Sequence, residues 1–430
     1  MGSSGAPRGR KGLFLVLIAC GLCALATPSA ASAFPVGVGM FDDSSPADFK
    51  NISVNGGNGL ANDISVTLDT SGATPTYVVK DAGVAVLPDS DGVGGCEQTL
   101  EMNVVRCPDP NAKSFCWGSD PNFDEFFDPA HRIVRRIQIW TNDQNDNVEL
   151  DPSVTADLYV SGGKGDDHVG LPTAANAAGG NTCDSFVQGG DGNDVLWGGP
   201  GTDIQYGENG DDEIHPGTGN DYDNQGRFQG ADGGAGNDTL SYEERTDPAQ
   251  WVSIDTASSD SIQGTAGSPG GTSCKIGRTN FVTEFDTFNV TPTEQFETYV
   301  GTSGNDCIRG TRWAQTFRGG PGADQISGGQ GVDTVEYSDK TSAVTATIGD
   351  DPQGGPGNDG VGDGTAGNTE GDNIYSDVEN ITGGPGDDKL TGQDRVPANY
   401  DPAGGYLSRS GQEGANTLNG AGGNLSLIHI

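Results

Sequence analysis

Basic residues are scarce in this chain: Lys+Arg 22 stand against Asp+Glu 61, for a formal net charge of -39. So large an acidic excess argues against nucleic acid as a partner, because binding phosphates needs a basic face. Apolar residues are also few, at 33%. Beyond Ala26 no apolar run reaches the length that spans a bilayer, so no transmembrane anchor is expected. Histidine occurs four times, at His131, His168, His215 and His429, with no metal-ligand spacing among them. Neither H-E-x-x-H nor G-x-S-x-G is present. No catalytic constellation emerges, and the chain is expected not to be an enzyme.

What is abundant is glycine, 71 residues of it, set beside aspartate. Such a composition suits either a disordered acidic polymer or a fold whose acids are ligands. Periodicity decides between the two. From Gly189 to Asn224 four nine-residue units follow without a gap, GGDGNDVLW, GGPGTDIQY, GENGDDEIH and PGTGNDYDN, on the pattern G-G-x-G-x-D-x-U-x with U apolar. The opening G-G-x-G-x-D starts at Gly162, Gly189, Gly198, Gly233, Gly319, Gly328, Gly354 and Gly383.

The glycines allow a tight turn through positive φ, and the residues after the sixth place form a very short strand. The eighth side chain then points into a narrow core: Val169, Leu196, Ile214, Leu240, Ile308, Ile326, Val335, Val361 and Leu390 hold that place, while Gln205 and Asp223 break the pattern. Beside Gln205, Ile204 sits one place early and is expected to face the other way. Two nonapeptides make a coil of 18 residues, which puts Asp194 and Asp212 on one edge and Asp203 and Asp221 on the other. Carboxylates stacked at a strand spacing of roughly 5 Å repel unless a cation lies between them. Ca²⁺ suits such a gap, since it takes six to eight hard oxygens with loose geometry. Zn²⁺ favours His and Cys, which these loops lack apart from His168, His215 and Cys307.

The rest of the chain divides around this run. Arg8, Arg10 and Lys11, the apolar stretch Leu13 to Ala26 and the site Ala31-Ser32-Ala33 have the layout of a secretory signal peptide over residues 1–33, which makes the mature chain secreted and extracellular. Residues 34–157 lack the nonapeptide and form a small β-rich N-terminal region, with strands expected at Asp63 to Asp69, Thr76 to Lys80, Glu101 to Arg106 and Arg132 to Trp140. Arg132, Arg135 and Arg136 are its one basic cluster and are read as neutralising nearby acids. Six cysteines remain after the signal, Cys96, Cys107, Cys116, Cys183, Cys274 and Cys307, with Cys96 and Cys107 the nearest natural loop and the pairing otherwise open.

Residues 158–224 form the first roll segment, and residues 225–424 a compound repeat. GGAGNDTLSYEER returns as GGQGVDTVEYSDK, WVSID as AVTATI, and FETYVG as VENITG, with Glu297 matching Glu379 and Tyr242 matching Tyr337. Internal duplication of this kind argues for one solenoid with inserted loops. Residues 425–430, LSLIHI, depart from the Gly/Asp chemistry and resemble sequencing-adapter readthrough, so the compound repeat is expected to be truncated.

Over Gly162 to Asn224, Gly233 to Leu240 and Gly301 to Leu390 the sequence resembles the secreted hemolysin-type calcium-binding repeat family, also called RTX. The resemblance implies an all-β chain, a parallel β-roll or β-helix solenoid with inserted loops, binding several Ca²⁺. By that resemblance the ligands are Asp167, Asp194, Asp203, Asp212, Asp221, Asp238, Asp306, Asp324, Asp333, Asp359 and Asp388. The N-terminal signal departs from the family habit of a C-terminal secretion signal. The function expected is Ca²⁺ binding in a structural, adhesive or cell-surface role, with a cell-surface glycan or protein as the kind of partner. The alternative is the non-catalytic front of a larger secreted enzyme or toxin.

Overall fold

A computed structural model describes residues 36–42, 50–57, 59–82, 85–88, 96–108, 136–151, 153–154, 156–170, 184–199, 201–219, 221, 230–255, 260–264, 282–287, 296–349, 359–361, 370–392, 417–422 and 426–429. The signal segment, Cys116, Cys183, Cys274, Arg132, Arg135 and Asp223 lie outside them.

Among the described residues there are strands and no helix. Where nonapeptides run without interruption, the register is the one their period dictates. Ser185–Asp191 lies parallel to Asp203–Asn209 with Phe186 opposite Ile204, and Val195–Trp197 lies parallel to Glu213–His215 with Leu196 opposite Ile214, each pair one 18-residue coil apart. This is a parallel β-roll. One side is a single 14-stranded sheet that extends from Glu97–Gln98 to Thr417–Asn419. The other side is divided into three sheets, of eight, six and four strands.

The narrow core between the sides is filled by the eighth residues. Val169, Leu196, Ile214, Leu240, Ile308, Ile326, Val335 and Leu390 are all buried, in one cluster that reaches from Ile52 to Leu390. Val361 is half-buried and stands outside it. Apolar burial of this kind contributes roughly 1.5–3 kcal/mol per large side chain, which for a chain so acidic is the main apolar driving force.

The roll starts before the nonapeptides do. Lys50–Asn55 pairs in parallel with Arg136–Trp140, and Asp63–Asp69 with Asn147–Leu150, so these four strands supply coils of the same solenoid. Antiparallel strands are added at its end: Thr76–Asp81 pairs with Asp63–Asp69 and with Val104–Pro108. A disulfide joins Cys96 to Cys107 at this edge, and Cys307 is also disulfide-bonded.

The irregular coil follows the alternation rule. Gln205 takes the inward place opposite Val187 and is fully buried, its amide nitrogen donating to the carbonyls of Leu196 and His215 at 3.1 Å each. Ile204 points the other way, into a small cluster with Phe186, Tyr159 and Tyr206. Ser426–His429 pairs in parallel with Lys389–Gly392.

Candidate metal centre

Each nonapeptide turn delivers its sixth residue to an edge of the roll, and the backbone ties these residues into files. On the edge of the long sheet, the N–H of Asn62 donates to Asp146 Oδ1 (2.6 Å), Asp146 to Asp167 (2.8 Å), Asp167 to Asp194 (2.8 Å), Asp194 to Asp212 (2.8 Å) and Asp212 to Asp238 (2.9 Å). The N–H of Asp238 then donates to Glu297 Oε2 at 2.9 Å. Further along the same sheet Gln315 donates to Asp333 Oδ1 (3.0 Å) and Asp333 to Glu379 Oε2 (2.8 Å). One oxygen of each acid is thus committed to the neighbouring coil.

The other oxygen is not committed. Oδ2 of Asp167, Asp194, Asp212 and Asp238 is buried and accepts no hydrogen bond. A buried carboxylate oxygen in that condition is costly, since an unsatisfied charged acceptor loses its full hydration. The space beside it is kept clear by glycine. A Cβ on Gly162 would overlap both Asp167 Oδ2 and the Gly189 carbonyl, and one on Gly207 both Asp212 Oδ2 and the Gly233 carbonyl. Carboxylate and carbonyl oxygens of successive coils therefore converge on a glycine-lined gap. These are hard oxygen donors throughout, which fits Ca²⁺ and not Zn²⁺.

Burial raises the carboxyls of this file. Asp167 and Asp212 are pushed up to about 7 and Asp194 and Asp238 to about 6, by desolvation first and by neighbouring carboxylates after it. Asp146 is raised to about 6 by the same desolvation. At neutral pH the file needs protons or cations.

The second edge carries shorter files. Asp203 Oδ1 accepts from the N–H and hydroxyl of Ser185, and the N–H of Asp203 donates to Asp221 Oδ1 at 2.8 Å. Beyond a break, Val252 donates to Asp306 (2.7 Å), Asp306 to Asp324 (2.8 Å) and Asp324 to Asp372 (2.9 Å). Two of these acids differ from the first file. Asp203 Oδ2 is held by Gly199 N–H and Asp306 Oδ2 by the N–H and hydroxyl of Thr302, whereas Asp324 Oδ2 is buried with no hydrogen bond.

The structure therefore brings together Asp167, Asp194, Asp212 and Asp238 on one edge, Asp203 with Asp221 and Asp306 with Asp324 on the other, and Asp333 further along the first. Asp388 is tied to the third short sheet, accepting the Val344 N–H at 2.9 Å. Asp359 stands apart. It forms an antiparallel bridge with Asp372, and its carboxylate receives the N–H groups of Thr347 (2.6 Å) and Ile374 (3.4 Å).

Sequence reasoning missed Asn62, Asp146, Glu297, Glu379 and Asp372 as members of these files. Asp146 had a visible signal. Residues 141–149, TNDQNDNVE, keep Asp at the sixth place and Val at the eighth, but Asn142 and Gln144 stand where glycines belong and take φ of 78° each. Asn tolerates that conformation better than most residues, which is how the turn survives without its signature.

His168 and His215 lie on the short strands that follow Asp167 and Asp212. His215 is buried, stacked on Trp197 with centroids 3.5 Å apart and flanked by Glu213 at 3.2 Å and Glu244 at 3.5 Å. Burial pushes its imidazole down, and the two carboxylates outweigh that and raise it. His168 is half-buried, and burial lowers it.

The RTX calcium-binding nonapeptide repeat matches this chain in 4 copies, over residues 188–223, 231–243, 294–335 and 375–394. These segments contain Asp194, Asp203, Asp212, Asp221, Asp238, Asp306, Asp324, Asp333 and Asp388, and leave out Asp167 and Asp359. No curated protein matches the chain. The chain carries RTX repeats, and they form the parallel roll described above.

Proposed function

We propose that this RTX-repeat chain is a secreted, extracellular protein whose roll folds as calcium arrives and then serves a structural or adhesive role, without catalysis of its own. Calcium binding in a β-roll is the part the repeats themselves support. The observation that carries the coupling to folding is the file of buried Oδ2 atoms on Asp167, Asp194, Asp212 and Asp238, each facing glycine-lined space. In this reading those oxygens and the carbonyls of Gly189 and Gly233 hold the ions. The metal neutralises the stacked carboxylates and fixes the glycine turns, so ligation and folding are one step.

Support for an extracellular setting comes from the three-part leader in residues 1–33 and from the disulfide between Cys96 and Cys107, a bond favoured in oxidising compartments. No helix among the described residues is long and apolar enough to cross a membrane. A cell-surface glycan or protein is the partner class this role calls for.

The test is far-UV circular dichroism of the chain as calcium is titrated from chelated to about 10 mM, about tenfold above the roughly 0.1–1 mM range of extracellular calcium modules. A cooperative gain of β signal with Ca²⁺ and not with Mg²⁺ is expected. A signal flat in calcium would end the proposal.

A further inference from the structure

The long sheet runs unbroken, but the opposite side changes sheet twice, between Ala231–Ala235 and Trp251–Asp255, and between Asn373–Ile374 and Val344–Thr347. A basic side chain lies at each break. Arg245 and Lys340 are 5% and 7% exposed, unusual burial for such residues, and they occupy the same place in the two compound repeats, closing SYEER and EYSDK.

Their surroundings also match. Tyr242 N–H donates to the Val300 carbonyl and Tyr337 N–H to that of Thr382; Arg245 N–H returns to Tyr242 (3.1 Å) and Lys340 N–H to Tyr337 (3.0 Å). The guanidinium of Arg245 then donates to the Gly217 carbonyl, and Lys340 Nζ to the Gly320 carbonyl at 2.8 Å. Gly217 and Gly320 are both second residues of a nonapeptide, with φ of 87° and 92°. Each cation thus donates to a carbonyl of a repeat turn.

Acids complete each site. Glu244 lies 3.7 Å from Arg245 Nε, and the charge of Arg245 also reaches Asp306. Glu370 Oε1 lies 2.9 Å and Asp339 Oδ2 3.7 Å from Lys340 Nζ, and its charge reaches Asp324 and Asp372. Turn carbonyl plus carboxylates is the donor set that the regular coils present to a metal.

We infer that Arg245 and Lys340 are tethered cations that take the place of a calcium ion at the two breaks, holding each joint together whether or not calcium is present. The inference rests on the calcium reading of the regular coils and adds a regulatory consequence: the roll responds to calcium in its uninterrupted runs while its joints do not. A side-chain cation suits a break, because inserted residues separate a coil from the successor that would supply the rest of an ion's shell, and a long side chain reaches across.

Hydrogen exchange of the full chain, with calcium and after its removal by chelator, tests this. In the unsubstituted chain without calcium, the amides of Asp324, Asp372 and Asn373 should stay protected while those of Asp194 and Asp212 become fast. Lys340→Met, which keeps the length and loses the charge, should speed the joint amides about 100-fold in chelator, as expected when one partner of a buried charged pair is removed. Calcium at millimolar level should restore part of that protection by entering the vacated position, and Lys340→Arg should behave as the unsubstituted chain. Arg245→Met should do the same to the Val252 and Ser303 amides.

Joint amides as slow in Lys340→Met as in the unsubstituted chain would overturn the inference and leave the calcium reading intact. Amides of Asp194 and Asp212 indifferent to calcium would overturn both, because no ion position would exist to be substituted.

Discussion

The N–H of Asp194 donates to Oδ1 of Asp212 at 2.8 Å, eighteen residues further on, while the Asp194 carbonyl accepts the N–H of Glu213 at 2.8 Å. The Asp194 backbone is therefore held by the next coil at its carbonyl and at its N–H, the latter through the Asp212 carboxylate. Removing that carboxylate leaves an N–H without an acceptor and a gap without a ligand.

Asp212→Ala is expected to lower calcium affinity at least tenfold and to blunt the cooperativity of folding, since Asp212 lies inside the file with Asp194 and Asp238 on either side. Asp359→Ala should leave the number of calcium ions bound unchanged. Its carboxylate receives the N–H groups of Thr347 and Ile374, so the effect is a local stability loss of about 1–3 kcal/mol. Calorimetric titration of both variants distinguishes the two, and equal losses of calcium would contradict the placement.

Gly207→Ala should act as a ligand mutation although glycine supplies no side chain. The new methyl group would occupy the space between Asp212 Oδ2 and the Gly233 carbonyl. A loss of calcium comparable with that of Asp212→Ala is expected, against no effect from Gly72→Ala, where only the Thr74 backbone is near and at ordinary contact distance. Calcium stoichiometry measured on both settles it.

The pH dependence of the metal-free chain follows from the raised carboxyls. Asp167 and Asp212 are pushed up to about 7 in the folded roll, against an ordinary aspartate value of 3.8. The folded state therefore binds more protons between those values, and its stability, fully present below about pH 4, declines as pH rises through 6 to 7. Dialysed metal-free protein should show more β signal at pH 5 than at pH 8, and calcium should reverse the order by replacing protons at the same oxygens. A metal-free β signal that grows from pH 5 to pH 8 would contradict this.

Gln144→Gly should stabilise the calcium-loaded chain. Gln144 is exposed and holds φ of 78° in the coil that precedes the nonapeptides, a conformation costing a non-glycine residue roughly 1–2 kcal/mol. Part of that gain is offset by the greater freedom of glycine in the unfolded chain, leaving a net effect of about 0.5–1 kcal/mol. Asn142→Gly should gain less, because the Asn142 amide donates to the Gly56 carbonyl at 2.8 Å. Denaturant midpoints of the two variants test the ranking.

The coil and most of the first file were legible because glycine and aspartate at fixed spacing state both the turn and its acid. The eighth-place rule even placed Ile204 and Gln205 on opposite faces. Two kinds of feature were not legible. Asp146 belongs to a coil whose turn is made without glycine, and Asn62 follows Gly56, Gly57 and Gly59 but puts an amide where the acid belongs, so the signature was incomplete while the geometry persisted. Asp359 shows the reverse: GGPGND is intact, yet an acid joins a file only if neighbouring coils lie in register on either side, and its antiparallel bridge to Asp372 denies it that. Local sequence specifies a turn, and stacking specifies a site. Glu297 and Glu379 were visible as matching positions, but only the hydrogen bonds from Asp238 and Asp333 show that the longer acid closes the step where a repeat is missing.

An unbroken ladder of 14 strands on one side and three shorter ladders on the other make the roll mechanically unequal in its two faces. Hydrogen bonding resists bending throughout the first face, whereas on the second, compliance is concentrated at the two breaks. Load along such a chain would be carried by the continuous face, and the discontinuous one would set where, and toward which side, it flexes.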